Sequence, residues 1–180
     1  MPAIEIRPAN AMDIADMIKL DHKYTTEYVW QMDLESENGE IGVRFREVRL
    51  PRPVQVDYPR SQKSLIDNWA QRSGLLVALH EEKIVGYVSL TQDVSPNATW
   101  MTDLVVSKPL RRQGIGSALV LAAQEWVLHQ TNNNRLLLEV QPKNYPAISL
   151  SQKLGFDFSG YDDHHFKNND IAVFFAKWLR

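Results

Sequence analysis

The sequence predicts an α/β fold built on a mixed sheet, and three observations carry that expectation. Short apolar runs alternate with helix-period segments along the chain, as a layered α/β arrangement requires. The run from Leu104 to Leu119 reads as a strand, a basic glycine turn and a helix start. The run from Leu136 to Phe156 reads as a second strand, an Asn and a second helix.

Taken in order, Ile4 to Arg7 is a short strand, after which Asn10 can cap a helix carrying Ile14, Met17 and Ile18 on one face. Tyr24 to Met32 either continues that helix or forms a second short one, and Asp33 to Glu40 reads as an acidic loop. Ile41, Val43 and Phe45 alternate as one face of a strand, while Pro51, Pro53 and Pro59 exclude a central strand or a long helix. Ser61 caps a helix displaying Leu65, Ile66 and Trp69, and Gly74 stands where a helix end would turn left-handed. Leu75 to Leu79 and Ile84 to Leu90 form a hairpin through Glu81-Glu82-Lys83, and Trp100 to Val106 is the strand that feeds the glycine turn. No internal repeat, low-complexity tract or linker interrupts the chain, so 1–180 is read as a single domain.

Bulk properties narrow the class. A chain of 180 residues with 44% hydrophobic composition can bury one sizeable core. A formal charge of -2 gives none of the basic excess of a nucleic-acid surface. There is no cysteine, which removes disulfides, thiolate metal sites and a cysteine nucleophile, and no metal site is expected. The start Met1-Pro2-Ala3-Ile4-Glu5 lacks a basic region followed by an apolar run, and no apolar stretch approaches ~18 residues, so the reading is cytoplasmic with no membrane partner.

The glycine turn builds an anion site. Successive N–H groups of such a turn converge, and the helix that follows adds about half a positive charge at its start, so a phosphate settles there; Arg111 and Arg112 add charge. A nucleoside-triphosphate loop needs Gly-Lys-Ser/Thr, but Gly116 is followed by Ser117-Ala118. A dinucleotide loop needs a small residue where Leu119 stands. What remains is Arg-x-x-Gly-x-Gly, spelled Arg111, Gly114, Gly116.

That pattern resembles the coenzyme A pyrophosphate loop of the GNAT superfamily of N-acetyltransferases. The second block is similar to the superfamily's other shared segment: a strand ending in Glu139-Val140, then Asn144, a helix with Ala147-x-x-Leu150, and Leu154-Gly155-Phe156. The resemblance covers roughly Trp100 to Trp178. It implies a mostly antiparallel sheet of six to seven strands, splayed at the fourth and fifth and flanked by about four helices. It also implies acetyl coenzyme A as cosubstrate and direct transfer to a primary amine in a ternary complex.

The same resemblance assigns roles. Leu104, Val105 and Val106 hold the pantetheine arm, and the turn Arg111, Arg112, Gln113, Gly114, Ile115, Gly116 and Ser117 holds the pyrophosphate. Asn144 reaches the thiol end. Glu139 interrupts an apolar run at a strand end and is the candidate proton acceptor, with an ion pair to a nearby Arg or Lys as the structural alternative. Asp103 and a water chain are its rivals; alternation turns Asp103 away from Thr102 and Leu104, and Thr102 stands where several relatives carry Glu. Ser151 occupies the place where many members carry the Tyr that protonates the thiolate, which leaves the proton donor open.

The C-terminal stretch Phe156 to Phe166 with Asp170 to Ala176 looks similar to streptothricin acetyltransferases, which act on the β-lysyl amine of a cationic antibiotic. Asp162, Asp163 and the segment Asp33 to Glu40 could wall a cationic site or simply be solvated. His164 and His165 read as loop residues, since no third ligand stands at metal spacing. Three functions follow: acetyl transfer to a small cationic amine, acetyl transfer to peptide or ribosomal-protein N-termini, or noncatalytic acyl coenzyme A binding. The chain is a monomer or a homodimer; Val173 to Trp178 could pair across a dimer and could equally lie inside one sheet.

Overall fold

The structure, a computed structural model, describes residues 2–92 and 94–179. Among these, seven strands form one sheet in the order β1-β4-β5-β6-β7-β9-β8, and β2 with β3 forms a separate hairpin. The strands are β1 (Glu5–Pro8), β2 (Tyr24–Glu37), β3 (Glu40–Val56), β4 (Gly74–His80), β5 (Lys83–Thr91), β6 (Ala98–Val106), β7 (Arg135–Val140), β8 (Asp157–Asp162) and β9 (Ala172–Trp178). The helices among the described residues are α1 (Ile14–Met17), α2 (Gln62–Asn68), α3 (Ile115–Gln130) and α4 (Tyr145–Lys153). Every sheet pairing is antiparallel except β6 with β7. The expected mixed sheet of six to seven strands with about four helices is therefore what forms.

Two apolar layers sandwich the sheet. On one face, Ile115, Leu119, Ala123 and Val127 recur along α3 and pack with Ile148 of α4 against Val88, Leu90, Met101, Leu136 and Phe175. On the other, Ile14 and Met17 of α1 and Leu65 of α2 cover Val77, Tyr87 and Val105. Each large apolar side chain removed from water in this way contributes about 1.5–3 kcal/mol. Asn10 caps the first helical turn as expected: its Oδ1 accepts from Met12 N at 2.9 Å, and Asp13 Oδ2 accepts from Asn10 N at 2.8 Å. Ser61 likewise caps α2; of the apolar residues that helix displays, Leu65 is buried and Ile66 exposed. Among the described residues no helix is long and apolar enough to cross a membrane.

Three expectations are corrected. Tyr24 to Met32 is strand, not helix; its Thr, Val and aromatic residues favour a pleated surface, and cross-strand pairing with β3 overrides the helical start upstream. The acidic loop is mostly strand too, with the turn confined to Asn38 and Gly39. Pro51 and Pro53 are accommodated because pairing jumps from Tyr28↔Arg49 to Thr26↔Val54, leaving them in the unpaired stretch. Trp30 and Phe45 anchor this hairpin on Phe158 and Phe175. Gly74 ends no helix; it opens β4, and a Cβ there would stand 2.8 Å from the Trp126 ring.

Gly86 of β5 lies opposite Val106, and a Cβ there would approach Val105 O to 2.7 Å and Leu119 Cδ1 to 3.2 Å. Backbone cannot yield as a flexible side chain does. Gly86→Ala is expected to cost about 1–3 kcal/mol in urea unfolding. Gly42→Ala, whose Cβ would meet only Glu35 Cβ at 3.9 Å, should stay within about 0.5 kcal/mol.

Candidate active site

The site begins where β6 and β7 stop pairing. Their parallel register runs from Ala98↔Arg135 to Met101↔Leu138 and goes no further. At that point β6 carries an extra residue against β5: Leu90 pairs Met101 and Ser89 pairs Asp103, which leaves Thr102 as a bulge. A bulge bends its strand and re-aims side chains. Met101 thus faces the α3 layer, while Val105 faces the α1 layer. It also overturns the strict alternation expected for Asp103, because the Thr102 hydroxyl lies 3.1 Å from Asp103 Oδ2.

Between the parted strands is a cleft of about 400 Å³, lined by Thr102, Leu104, Leu138, Glu139, Asn144 and Phe166 among others. Leu104 and Val106 turn their side chains to the α3 layer and Val105 is buried on the opposite one. Beyond Met101, β6 has no strand partner on its β7 side; Arg60 and Arg111 take the carbonyls of Thr102 and Val106, and the polar groups between them face the cleft without a strand to pair with.

The turn that follows is shaped by two left-handed residues, Arg112 at φ 65° and Gly114 at φ 91°. No side chain caps α3, and its first hydrogen bond runs from Ala118 N to Gly114 O. The N–H groups of Ile115, Gly116 and Ser117 are therefore those a 16-residue helix offers to an anion. A side chain at Gly116 would stand 3.4 Å from Leu150 Cδ2, so α4 closes one wall. Gln113 Nε2 donates to Pro109 O at 3.2 Å. Arg111 contributes differently from a free cation. Its Nε donates to Val106 O at 2.8 Å, its Nη1 to Lys23 O at 2.7 Å and its Nη2 to Asp21 O, and burial lowers its pKa. It ties the turn to the segment after α1.

Glu139 sits at the far end of the cleft with its side chain 6% exposed. Arg60 forms an ion pair with its Oε1, and His165 Nε2 lies 3.1 Å from its Oε2. Arg60 also donates to Thr102 O at 2.6 Å and lies over the Phe166 ring. Asp103, equally buried, accepts from the Tyr58 hydroxyl at 2.9 Å and stands 3.7 Å from both Arg60 and Arg72. Burial and this carboxylate push the Tyr58 pKa up. A second, small recess opens beside Asp103, lined by His22, Tyr58, Arg60, Arg72 and Tyr87. There His22 Nδ1 lies 2.7 Å from Leu20 O, and Nε2 lies 3.0 Å from the Tyr87 hydroxyl. Burial lowers the His22 pKa, so the neutral ring donates through Nδ1 and accepts through Nε2.

Asn144 lines the cleft while its Oδ1 accepts from Ala147 N at 3.2 Å, capping α4. Ser151 is buried, and its hydroxyl donates to Ala147 O at 2.8 Å. Sequence reasoning did not find Tyr58, Arg60 or Arg72 at the site. The only local signal was a Tyr-Pro-Arg in a segment that resisted assignment. Among the described residues no group of three or more His, Asp or Glu is arranged to hold a metal ion.

The acetyltransferase (GNAT) family profile matches residues 43–156, from β3 through both motif blocks. The chain belongs to the GNAT acetyltransferase family. A streptothricin acetyltransferase of Streptomyces lavendulae is 26% identical over 163 residues, covering 88% of this chain and 84% of that protein. A nourseothricin acetyltransferase crystal structure superposes with a TM-score of 0.82 at 23% identity over 99% of both chains. A Bacillus anthracis protein assigned as a streptothricin acetyltransferase, solved with acetyl coenzyme A, gives 0.75 at 20% identity over 98% of this chain and 100% of the other. Both structures share the fold. GNAT enzymes use acetyl coenzyme A, and the open helix start and the unpaired β6 edge fit its pyrophosphate and its amide-bearing arm.

At pH above the ordinary imidazole value of 6.5, His22 is neutral folded and unfolded. As pH falls through that value the unfolded chain binds the proton first, so stability declines until the folded ring also protonates at its lower pKa. Urea melts across this range should show the slope, and His22→Gln should flatten it. Arg111→Gln should cost about 1–3 kcal/mol in the same assay, chiefly through the half-buried carbonyls of Val106 and Asp21 that it leaves unpaired.

Proposed function

We propose that this GNAT enzyme transfers the acetyl group of acetyl coenzyme A to a primary amine of a small cationic molecule of the streptothricin type, by direct attack in a ternary complex. The observation that carries the reading is Glu139, a buried carboxylate at the point where β6 and β7 part, on the wall of the donor cleft. A base at that point meets an amine aligned with a thioester held in the cleft.

When bound, acetyl coenzyme A supplies the activated acetyl group. The residues of this chain do the rest. The start of α3 and Arg112 hold the pyrophosphate, and the β6 edge at Leu104 to Val106 with Asn144 holds the arm. Free N–H groups of that edge polarise the carbonyl. Arg60 pairs with Glu139 and aims it, and Glu139 takes a proton from the incoming ammonium. Ser151 donates its hydroxyl within α4, so the thiolate takes its proton from solvent; a thiolate leaves without an acid near neutral pH. The cationic reading of the acceptor is supported by the two buried carboxylates Asp103 and Glu139, with Asp162 joined to Glu139 through His165, a field that draws in positive charge.

The test is thiol release from acetyl coenzyme A against streptothricin, polyamines, aminoglycosides and short peptides. Streptothricin-type amines are expected to turn over best, and Glu139→Gln should lower kcat by about 10²–10⁴ with little change in acetyl coenzyme A affinity. Preference for peptides would move the acceptor to a polypeptide N-terminus, and binding without turnover on any amine would remove the catalytic reading.

A further inference from the structure

The loop between β8 and β9 brings a histidine onto the candidate base. His165 Nε2 lies 3.1 Å from Glu139 Oε2 and its Nδ1 lies 2.8 Å from Asp162 Oδ2, so the imidazole bridges two carboxylates. Phe166 and Phe174 hold the ring edge-on, at 5.0 and 5.7 Å between centroids. The other charges nearby are Arg60, which meets the opposite oxygen of Glu139 and lies over Phe166, and the neighbouring pair Asp163 with His164. Side-chain exposure climbs along the three bridged groups: 6% at Glu139, 26% at His165 and 58% at Asp162.

We propose that His165 is a proton-relay residue, carrying the proton that Glu139 removes from the acceptor amine out to Asp162 and solvent. This rests on the acetyl-transfer reading above. A base as buried as Glu139 must discharge after each turnover, and Arg60 covers its other oxygen. Ionised carboxylates only accept hydrogen bonds, so a ring between two of them serves one with a single proton and both with two. The neutral ring, its Nδ1–H on Asp162, offers the Nε2 lone pair to protonated Glu139. The imidazolium so formed then loses a proton along the exposed Asp162 edge.

The step balances. The amine nitrogen forms a bond to the acetyl carbon as the carbon–sulfur bond breaks, and the sulfur keeps that electron pair. Of the two protons the ammonium gives up, one leaves by Glu139, His165 and Asp162, and the other is matched by the solvent proton that neutralises the thiolate. His165 touches neither substrate; it acts through Glu139.

The experiment is steady-state kinetics of the full chain with the best amine of the panel, across pH, for wild type, His165→Asn and Asp162→Asn, with melting curves for each. His165→Asn should lower kcat by about 10²-fold, leave KM for acetyl coenzyme A unchanged, alter one limb of the kcat profile, and regain activity as free imidazole is added. Asp162→Asn, at an exposed position, should lower kcat less while melting like wild type. A correctly folded His165→Asn with wild-type kcat and profile, or one whose loss imidazole does not restore, overturns the relay and leaves the acetyl-transfer reading standing. If His165→Asn does not fold, an unchanged kcat in Asp162→Asn overturns the relay. A wild type inert on every amine removes both.

Discussion

The candidate site depends on β6 and β7 letting go of each other after Met101 and Leu138. Two strands that stayed paired would satisfy their own backbone and leave no room for a ligand. The extra residue at Thr102 redirects β6 at the same level, so the loss of pairing and the change of facing coincide. The two core layers hold the parted strands open from either side, α3 and α4 on one and α1 and α2 on the other. The cleft is thus a product of sheet geometry.

Parting the strands exposes Asp103 and Glu139 to a low-dielectric interior, where an uncompensated carboxylate costs several kcal/mol. The compensation comes from outside the sheet, through Arg60 and Arg72 on the segments flanking α2. Arg60 donates to a carbonyl of β6 and pairs with a carboxylate of β7, so it spans the gap the strands leave. The loop bearing Tyr58 and Arg60 is therefore part of the site's electrostatics as well as its wall.

What was legible in the sequence was local. The strand, turn and helix around Gly114 carry their chemistry in consecutive residues, and Glu139 announced itself as a charge in an apolar run. Asn10 and Ser61 were readable as caps because capping is settled within three residues. Tyr24 to Met32 was misread because a short apolar run after a helix has no decisive period, and only pairing with β3 determines its state. Arg60 and His165 were out of reach for a different reason. They come to Glu139 through loops whose positions follow from the strand order, and no spacing along the chain encodes that. The same limit separated Arg111 the expected anion ligand from Arg111 the backbone tie, since its acceptors at Asp21 and Lys23 lie far away in sequence.

Tyr58 and Arg60 border the cleft between β6 and β7 on one side and the recess beside Asp103 on the other. A partition made of two side chains is thermodynamically a shared coordinate. A shift of Arg60 that widened one space would redraw the wall of the other, so two molecules that each moved it would be linked. Linkage of this kind is reciprocal: the factor by which the first ligand changes affinity for the second equals the factor in the opposite direction.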